Sequence, residues 1–222
     1  MNLPALSIDA LSAGTVARVG ESLFYWTTTG EEAREFPLNV QLGFDAKNQV
    51  LLLEFELMND QFVEQNSYTD DNSALWKQEV FEWFISPGAH TPERYMEIQV
   101  NPNGALFAAW VTNPNGTGTE NAVELFDGYS VGMKVSVIKQ NDSWRGEILL
   151  PLSVFGDLPG EYRLNFFRIV SLQSHERAEQ WACTATSCAF LAWSPTFSGA
   201  TPAFHIPEYF GHLNIEYNIR GH

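Results

Sequence analysis

Apolar and polar residues alternate with a period of two over Leu38–Phe44 (Leu-Asn-Val-Gln-Leu-Gly-Phe), and after the polar stretch Asp45–Asn48 an apolar-rich run covers Val50–Leu57. Alternation sends successive side chains to opposite faces of a sheet, so the two runs predict a β-hairpin. A second hairpin is predicted where Tyr95–Val100 and Leu106–Val111 flank the turn Asn101-Pro-Asn-Gly104. Further strand-like runs are Val80–Ile85, Tyr129–Ile138, Trp144–Pro151 and His212–Tyr217, with Tyr162–Val170 apolar enough on both faces to be central in a sheet. No helical periodicity is sustained over ~10 residues; Leu152–Leu158 reads as a single helical turn. The pattern predicts an all-β fold, an antiparallel β-sandwich of immunoglobulin-like or jelly-roll-like type. We expect one domain across residues 1–222. Residues 1–20 read as a leader with a weak strand near Thr15–Val19, and 38–217 as the core.

Between these runs lie polar connections. Asn59–Ser73 is acidic and rich in turn formers, which predicts a long loop delivering the chain to Trp76. Thr112–Thr119 reads as a flexible polar loop with nothing to pack, and Trp193–Phe210 as a Pro-marked loop before the last strand.

Composition narrows the function classes. The 222 residues are 45% hydrophobic and 14% aromatic, ample for a packed core. No apolar run approaches the ~18 residues of a membrane span, so membrane insertion is not expected. A net charge of −15 argues against nucleic acid or an anionic membrane as partner and favours neutral ligands or cations such as calcium. Met1–Ala10 shows neither the basic flank nor the apolar stretch of a secretory signal, so the chain reads as cytoplasmic, or exported with its signal removed. Cys183 and Cys188, with four residues between them, are either a local disulfide or two free thiols. A disulfide would favour an oxidising compartment. Without Cys-x-x-Cys or a nearby His pair, a zinc or redox site is not indicated.

The chemistry centres on Trp76 to Ser86. Alternation from Val80 to Ile85 puts Phe81, Trp83 and Ile85 on one face and Val80, Glu82 and Phe84 on the other. A carboxylate between two hydrophobes costs free energy unless a cation answers it or it faces a wet cavity with a ligand to hold. Sugar recognition needs an aromatic face for the C–H patches of a pyranose and planar polar groups for its hydroxyls. Trp76 and Glu82 supply both, and Gln99 adds an amide. Each also has a plain structural explanation, as a loop aromatic, an ion-paired strand residue and an exposed strand position. No Gly-x-Ser-x-Gly, phosphate-binding Gly loop or His-Glu-x-x-His occurs. The sequence puts Glu79 and Glu82 on opposite faces, whereas Glu82 and Glu97 would form a glycosidase-like pair only if their strands are neighbours.

Several stretches, in order, resemble the successive blocks of a family-nine carbohydrate-binding module. They are Trp76-x5-Glu82 within Trp-Lys-Gln-Glu-Val-Phe-Glu-Trp-Phe-Ile, Tyr95–Gly104, Trp144–Leu152, Leu164–Ile169, Leu191-Ala-Trp-Ser-Pro195 and Phe204–Gly211. The resemblance covers roughly residues 38 to 217. It implies a β-sandwich gripping the end of a glycan between two aromatic platforms, with an acidic residue on the sugar hydroxyls and calcium elsewhere. By resemblance the first platform is Trp76 and the carboxylate Glu82. Gln99 stands where the family has a basic residue, and Phe204 followed by His205 where it has the second platform's tryptophan. Trp193 corresponds to another family tryptophan and reads as core. Arg168 is a candidate to replace the missing cation if its face meets Glu82, or else a salt bridge at the core edge. For calcium, Asp60, Glu64, Asp70 and Asp71 offer hard oxygen ligands in the acidic loop, without EF-hand spacing. Haem held by a Met and a His would draw on Met96, Met133, His205 and His212, but no Cys-x-x-Cys-His is present. The primary expectation is non-catalytic carbohydrate binding. The alternatives are a glycan-processing hydrolase using Glu82 and Glu97, or a structural or partner-binding sandwich without the sugar site.

Overall fold

In chain order the strands are β1 (Ala5–Asp9), β2 (Val16–Arg18), β3 (Tyr25–Trp26), β4 (Leu38–Asp45), β5 (Val50–Met58), β6 (Val80–Pro87), β7 (Arg94–Val100), β8 (Leu106–Thr112), β9 (Ala122–Leu125), β10 (Lys134–Lys139), β11 (Ser143–Pro151), β12 (Glu161–Ser171), β13 (Cys188–Ala192) and β14 (Gly211–Glu216). They come from a computed structural model that describes residues 2–9, 16–18, 23–156, 160–175 and 181–216. Among the described residues these strands form two sheets packed as a sandwich. A five-stranded sheet has the order β10-β11-β5-β4-β2; a nine-stranded sheet has the order β1-β14-β12-β6-β7-β8-β9, with β13 pairing the second half of β12 and β3 pairing β13.

The hairpins predicted from alternation are present. β4 and β5 pair antiparallel from Leu38↔Leu57 to Asp45↔Val50, and β7 and β8 from Arg94↔Thr112 to Val100↔Leu106. Leu38, Val40, Leu42, Leu51, Leu53, Phe55 and Leu57 turn into the interior. Glu54, Glu56, Arg145 and Glu147 alternate outward on the same sheet. On β6, Phe81, Trp83 and Ile85 face this core, and Phe55 of β5 lies flat against Phe81, ring centroids 4.3 Å apart. Each such side chain contributes about 1.5–3 kcal/mol on burial, so the core needs no added staple.

The chain departs from the sequence expectations in several places. The segment read as a leader contributes β1 to the larger sheet, with Leu6 and Ile8 buried, whereas β2 in the smaller sheet falls on the weak strand expected near Thr15–Val19. β1 runs parallel to β14, from Ala5↔His212 to Asp9↔Glu216, the one parallel pair among the described strands. The strand expected from Tyr129 begins only at Lys134, because Tyr129–Val131 forms a 3-10 turn closed by Gly132 at φ 89°. A short 3-10 turn at Leu152–Phe155 follows β11 as predicted. Tyr217, placed at the end of the last strand, lies outside the described residues.

What positions the site is the outer face of the nine-stranded sheet. Two smaller apolar clusters cover it, one around Leu75, Val80, Phe107 and Trp181, the other around Phe84, Tyr95, Phe167 and Phe210. Polar side chains of β6 and β7 emerge between them.

Candidate carbohydrate-binding cleft

β6 and β7 are neighbours in antiparallel register, with Glu82 opposite Gln99 and Phe84 opposite Glu97. All four side chains therefore leave the same face of the sheet. Glu82, Glu97 and Gln99 form the floor of an open cavity of about 460 Å³. Trp76, Glu82, Gln99, Phe204 and His205, five of the six ligand candidates from the sequence, line it.

Two aromatic elements flank that floor. Trp76 sits in a 3-10 turn, Leu75–Lys77, that is anchored by buried Leu75. Its indole is 44% exposed and meets Phe107 of β8 edge-on, centroids 5.4 Å apart. The turn is held from below: the Cys183 N–H donates to the Lys77 carbonyl at 2.7 Å, and Cys183 is disulfide-bonded to Cys188 at the start of β13. On the far side, Phe204 stacks on Phe167 of β12. The strands β6 and β7 that carry the polar groups lie between β8 and β12.

His205 is fixed on the same side. Its Nδ1 shares a 2.7 Å hydrogen bond with the Tyr95 hydroxyl, and its carbonyl accepts from Asn113 Nδ2 at 2.9 Å. Burial pushes the imidazole down to about 4, which keeps it neutral near pH 7. The loop after β8, read from sequence as having nothing to pack, closes over this residue. Gly118, at φ +75°, approaches so closely that a Cβ there would lie 2.9 Å from the His205 Cβ. Thr117–Thr119 form part of the rim.

The floor is electrostatically unusual. Glu82 is only 1% exposed, and its Oε1 has no hydrogen-bond partner; nor does Oε1 of Gln99. Gln99 Nε2 donates to Glu97 Oε1. Burial, with the Glu97 charge second, raises the Glu82 carboxyl well above its ordinary value. Burial, partly offset by the Gln99 hydrogen bond, raises Glu97 to about 7.

Arg168 does not compensate. It pairs with Phe81 in the β12–β6 register, whereas Phe167 is opposite Glu82, so its side chain leaves the other face. The guanidinium is fully buried between the sheets, donating to the Phe36, Pro37 and Met58 carbonyls, and lies 3.5 Å from Asp60 Oδ2. The alternation of β12 is masked in the sequence because both of its faces are apolar. The calcium candidates do not converge either. Asp60 accepts from Trp144 Nε1 and pairs with Arg168, and Asp71 Oδ1 accepts from the Leu106 N–H. Among the described residues, no group of three or more His, Cys, Asp or Glu side chains is placed to hold a metal. The haem candidates also separate, since Met96 and Met133 are in the inter-sheet core and His205 is on the opposite face.

Sequence reasoning overlooked Phe107, Phe190, Ile169 and the Thr117–Thr119 rim as part of the cavity. Phe107 was accessible from alternation alone, because it lies opposite Gln99 and shares its face. Nothing local signals Phe190, which reaches the site through pairing of β13 with β12.

Comparison with known proteins follows the same lines. The family model described as "Carbohydrate-binding family 9" matches residues 31–215. A protein of Arthroderma benhamiae named "Extracellular protein" is 30% identical over 155 residues, covering 64% of this chain and 68% of the relative. Among solved structures, a Bacteroides uniformis protein superposes with a TM-score of 0.62 at 18% identity, covering 97% of this chain and all of that one. A family 9 module from Caldicellulosiruptor kristjanssonii, solved with cellotriose, superposes with a TM-score of 0.55 at 12% identity, covering 98% and 97%. The same module with glucose gives the same score and identity, covering 98% of each chain. At these identities the solved structures speak to the fold.

Proposed function

The chain belongs to carbohydrate-binding family 9, and on that footing we propose that it binds the end of a carbohydrate chain without cleaving it, in the cleft over β6 and β7. The observation that carries this reading is the convergence of Trp76, Glu82, Gln99, Phe204 and His205 on one open cavity. Aromatic surfaces cover the C–H faces of a pyranose, and Glu82 and Gln99 supply planar acceptors for its hydroxyls. Cellotriose and glucose in the Caldicellulosiruptor module support the ligand class. The Cys183–Cys188 bridge and the extracellular relative support work in an oxidising compartment.

A catalytic reading would use Glu82 and Glu97, both of which line the cavity. Glycoside hydrolysis needs its two carboxyl groups to flank the scissile bond. Here both rise from adjacent strands of one floor, side by side, which favours holding a sugar over attacking it from two directions.

Calorimetric titration with glucose, cellobiose and cellotriose tests the binding reading. Saturable binding that is lost in Trp76→Ala is expected. Absence of binding to a broad glycan panel would overturn it in favour of a structural or partner-binding role.

A further inference from the structure

The cleft contains two buried carboxylates and no cation. Glu82 and Glu97 are diagonal neighbours on adjacent strands, roughly 7–8 Å apart at the backbone. Among the described residues, neither lysine nor arginine lines the cavity, and the imidazole in its wall, His205, is held neutral by burial. Tyr95, whose hydroxyl is taken up by His205, is held protonated by its own burial. Arg168, the cationic candidate from the sequence, is engaged on the other side of the sheet. The acceptors Glu82 Oε1 and Gln99 Oε1 are buried with nothing to receive from. Buried charge without a partner is costly, and a neutral hydroxyl supplies one donor but no charge.

Building on the carbohydrate reading, we propose that the site selects an amino sugar, whose primary ammonium supplies the missing positive charge between Glu82, Glu97 and Gln99. An ammonium carries three donors. That suits two carboxylates and the free amide oxygen better than a hydroxyl does. Without ligand both carboxyls keep their protons to higher pH than an exposed glutamate does, in line with the upward displacement of each group. A bound ammonium favours one ionised carboxylate between them, so the pair gives one proton to solvent as the ligand enters. A neutral sugar leaves the proton in place.

The test is calorimetric titration of the full chain at pH 6 with glucosamine, glucose and N-acetylglucosamine, in two buffers of different ionisation enthalpy. Glucosamine should bind at least tenfold more tightly than either neutral sugar and release up to one proton per ligand. Neither neutral sugar should release any. Glu97→Gln should reduce the glucosamine-to-glucose preference to less than threefold. The proton count on the unmodified protein makes the test independent of how well that variant folds. Equal or tighter binding of either neutral sugar, or glucosamine binding without proton release, overturns the amino-sugar assignment and leaves carbohydrate binding standing. If no sugar binds, carbohydrate binding itself fails and this inference falls with it.

Discussion

The ring of Phe204 lies flat on that of Phe167, centroids 4.2 Å apart and planes 13° from parallel. One face of the phenyl is thereby committed to the sheet, and its orientation is set before any ligand arrives. Stacked aromatic pairs are worth about 0.5–1.5 kcal/mol beyond area burial. Phe204→Ala should therefore cost roughly 1–2 kcal/mol of stability and about tenfold in sugar affinity, whereas Phe204→Trp should retain or improve affinity. Denaturant unfolding paired with calorimetry checks both.

Trp76 and Arg168 should behave as opposites. Trp76→Ala removes a half-exposed ring with an edge contact to Phe107, so the melting temperature should stay within a few degrees while sugar affinity falls at least tenfold. Breaking a buried ion pair costs about 3–5 kcal/mol, and Arg168→Ala leaves buried Asp60 without its cation. That variant should be severely destabilised, and any folded fraction should bind sugar normally. Loss of affinity in Arg168→Ala with unchanged stability would return Arg168 to the site.

The disulfide should matter beyond its cross-link. A loop closed by so short a bridge is worth about 2 kcal/mol in the chain-entropy account. The Cys183 N–H also holds the Lys77 carbonyl, and Gln78 Nε2 reaches the Trp181 carbonyl at 3.3 Å. The double variant Cys183→Ser/Cys188→Ser should lose about that stability and also weaken sugar binding several-fold, because the turn carrying Trp76 loosens. Tryptophan fluorescence anisotropy with and without reductant follows the second effect.

Gly118 is a steric probe of the rim. Its φ is +75°, and a methyl group added there would meet the His205 Cβ at 2.9 Å and the His205 carbonyl oxygen at 3.1 Å, so Gly118→Ala forces the His205 segment away from the loop. Weaker sugar binding with a melting temperature lower by a few degrees is expected. Unchanged affinity would show that the rim does not shape the cleft.

Stability should fall as pH rises from 6.5 to 9. Folding raises the proton affinity of Glu97 to about 7, of Glu79 to about 9 and of Glu82 by a large amount, burial being the leading cause for each. The folded state then keeps protons that the unfolded chain has already lost, and the stability present below pH 4.5 is lost as pH climbs through the folded values. His205 acts oppositely, since its depressed value weakens the fold only below about 6.5. Thermal melts across the window should show a steady decline, shallower in Glu82→Gln. A flat profile for the unmodified protein would contradict it.

Much of the architecture was legible because alternation is a direct record of a half-buried sheet. β4 and β7 alternate cleanly between apolar and polar positions, and the order of blocks around Trp76 and Glu82 drew attention to residues that line the cavity over β6 and β7. Other elements carried no such record. β9 is exposed along its whole length, β3 has two residues, and β13 begins inside the cysteine loop. β1 was obscured by its parallel pairing with the distant β14. Arg168 was ambiguous for a related reason: β12 is buried on both sides, so its sequence does not mark which face is which.

The alternation of β6 and β7 has a consequence for how the chain finds its fold. Sliding β6 by one residue would drive Glu82 into the aromatic core beside Phe55 and expel Trp83. A one-residue slip reverses every side chain on a strand, and an unpaired carboxylate in that core would be prohibitive. β7 enforces the same choice through Glu97 and Gln99 against Met96, Ile98 and Val100. The acidic floor, expected to weaken the finished structure as pH rises, thus also penalises the adjacent pairings and marks the native alignment.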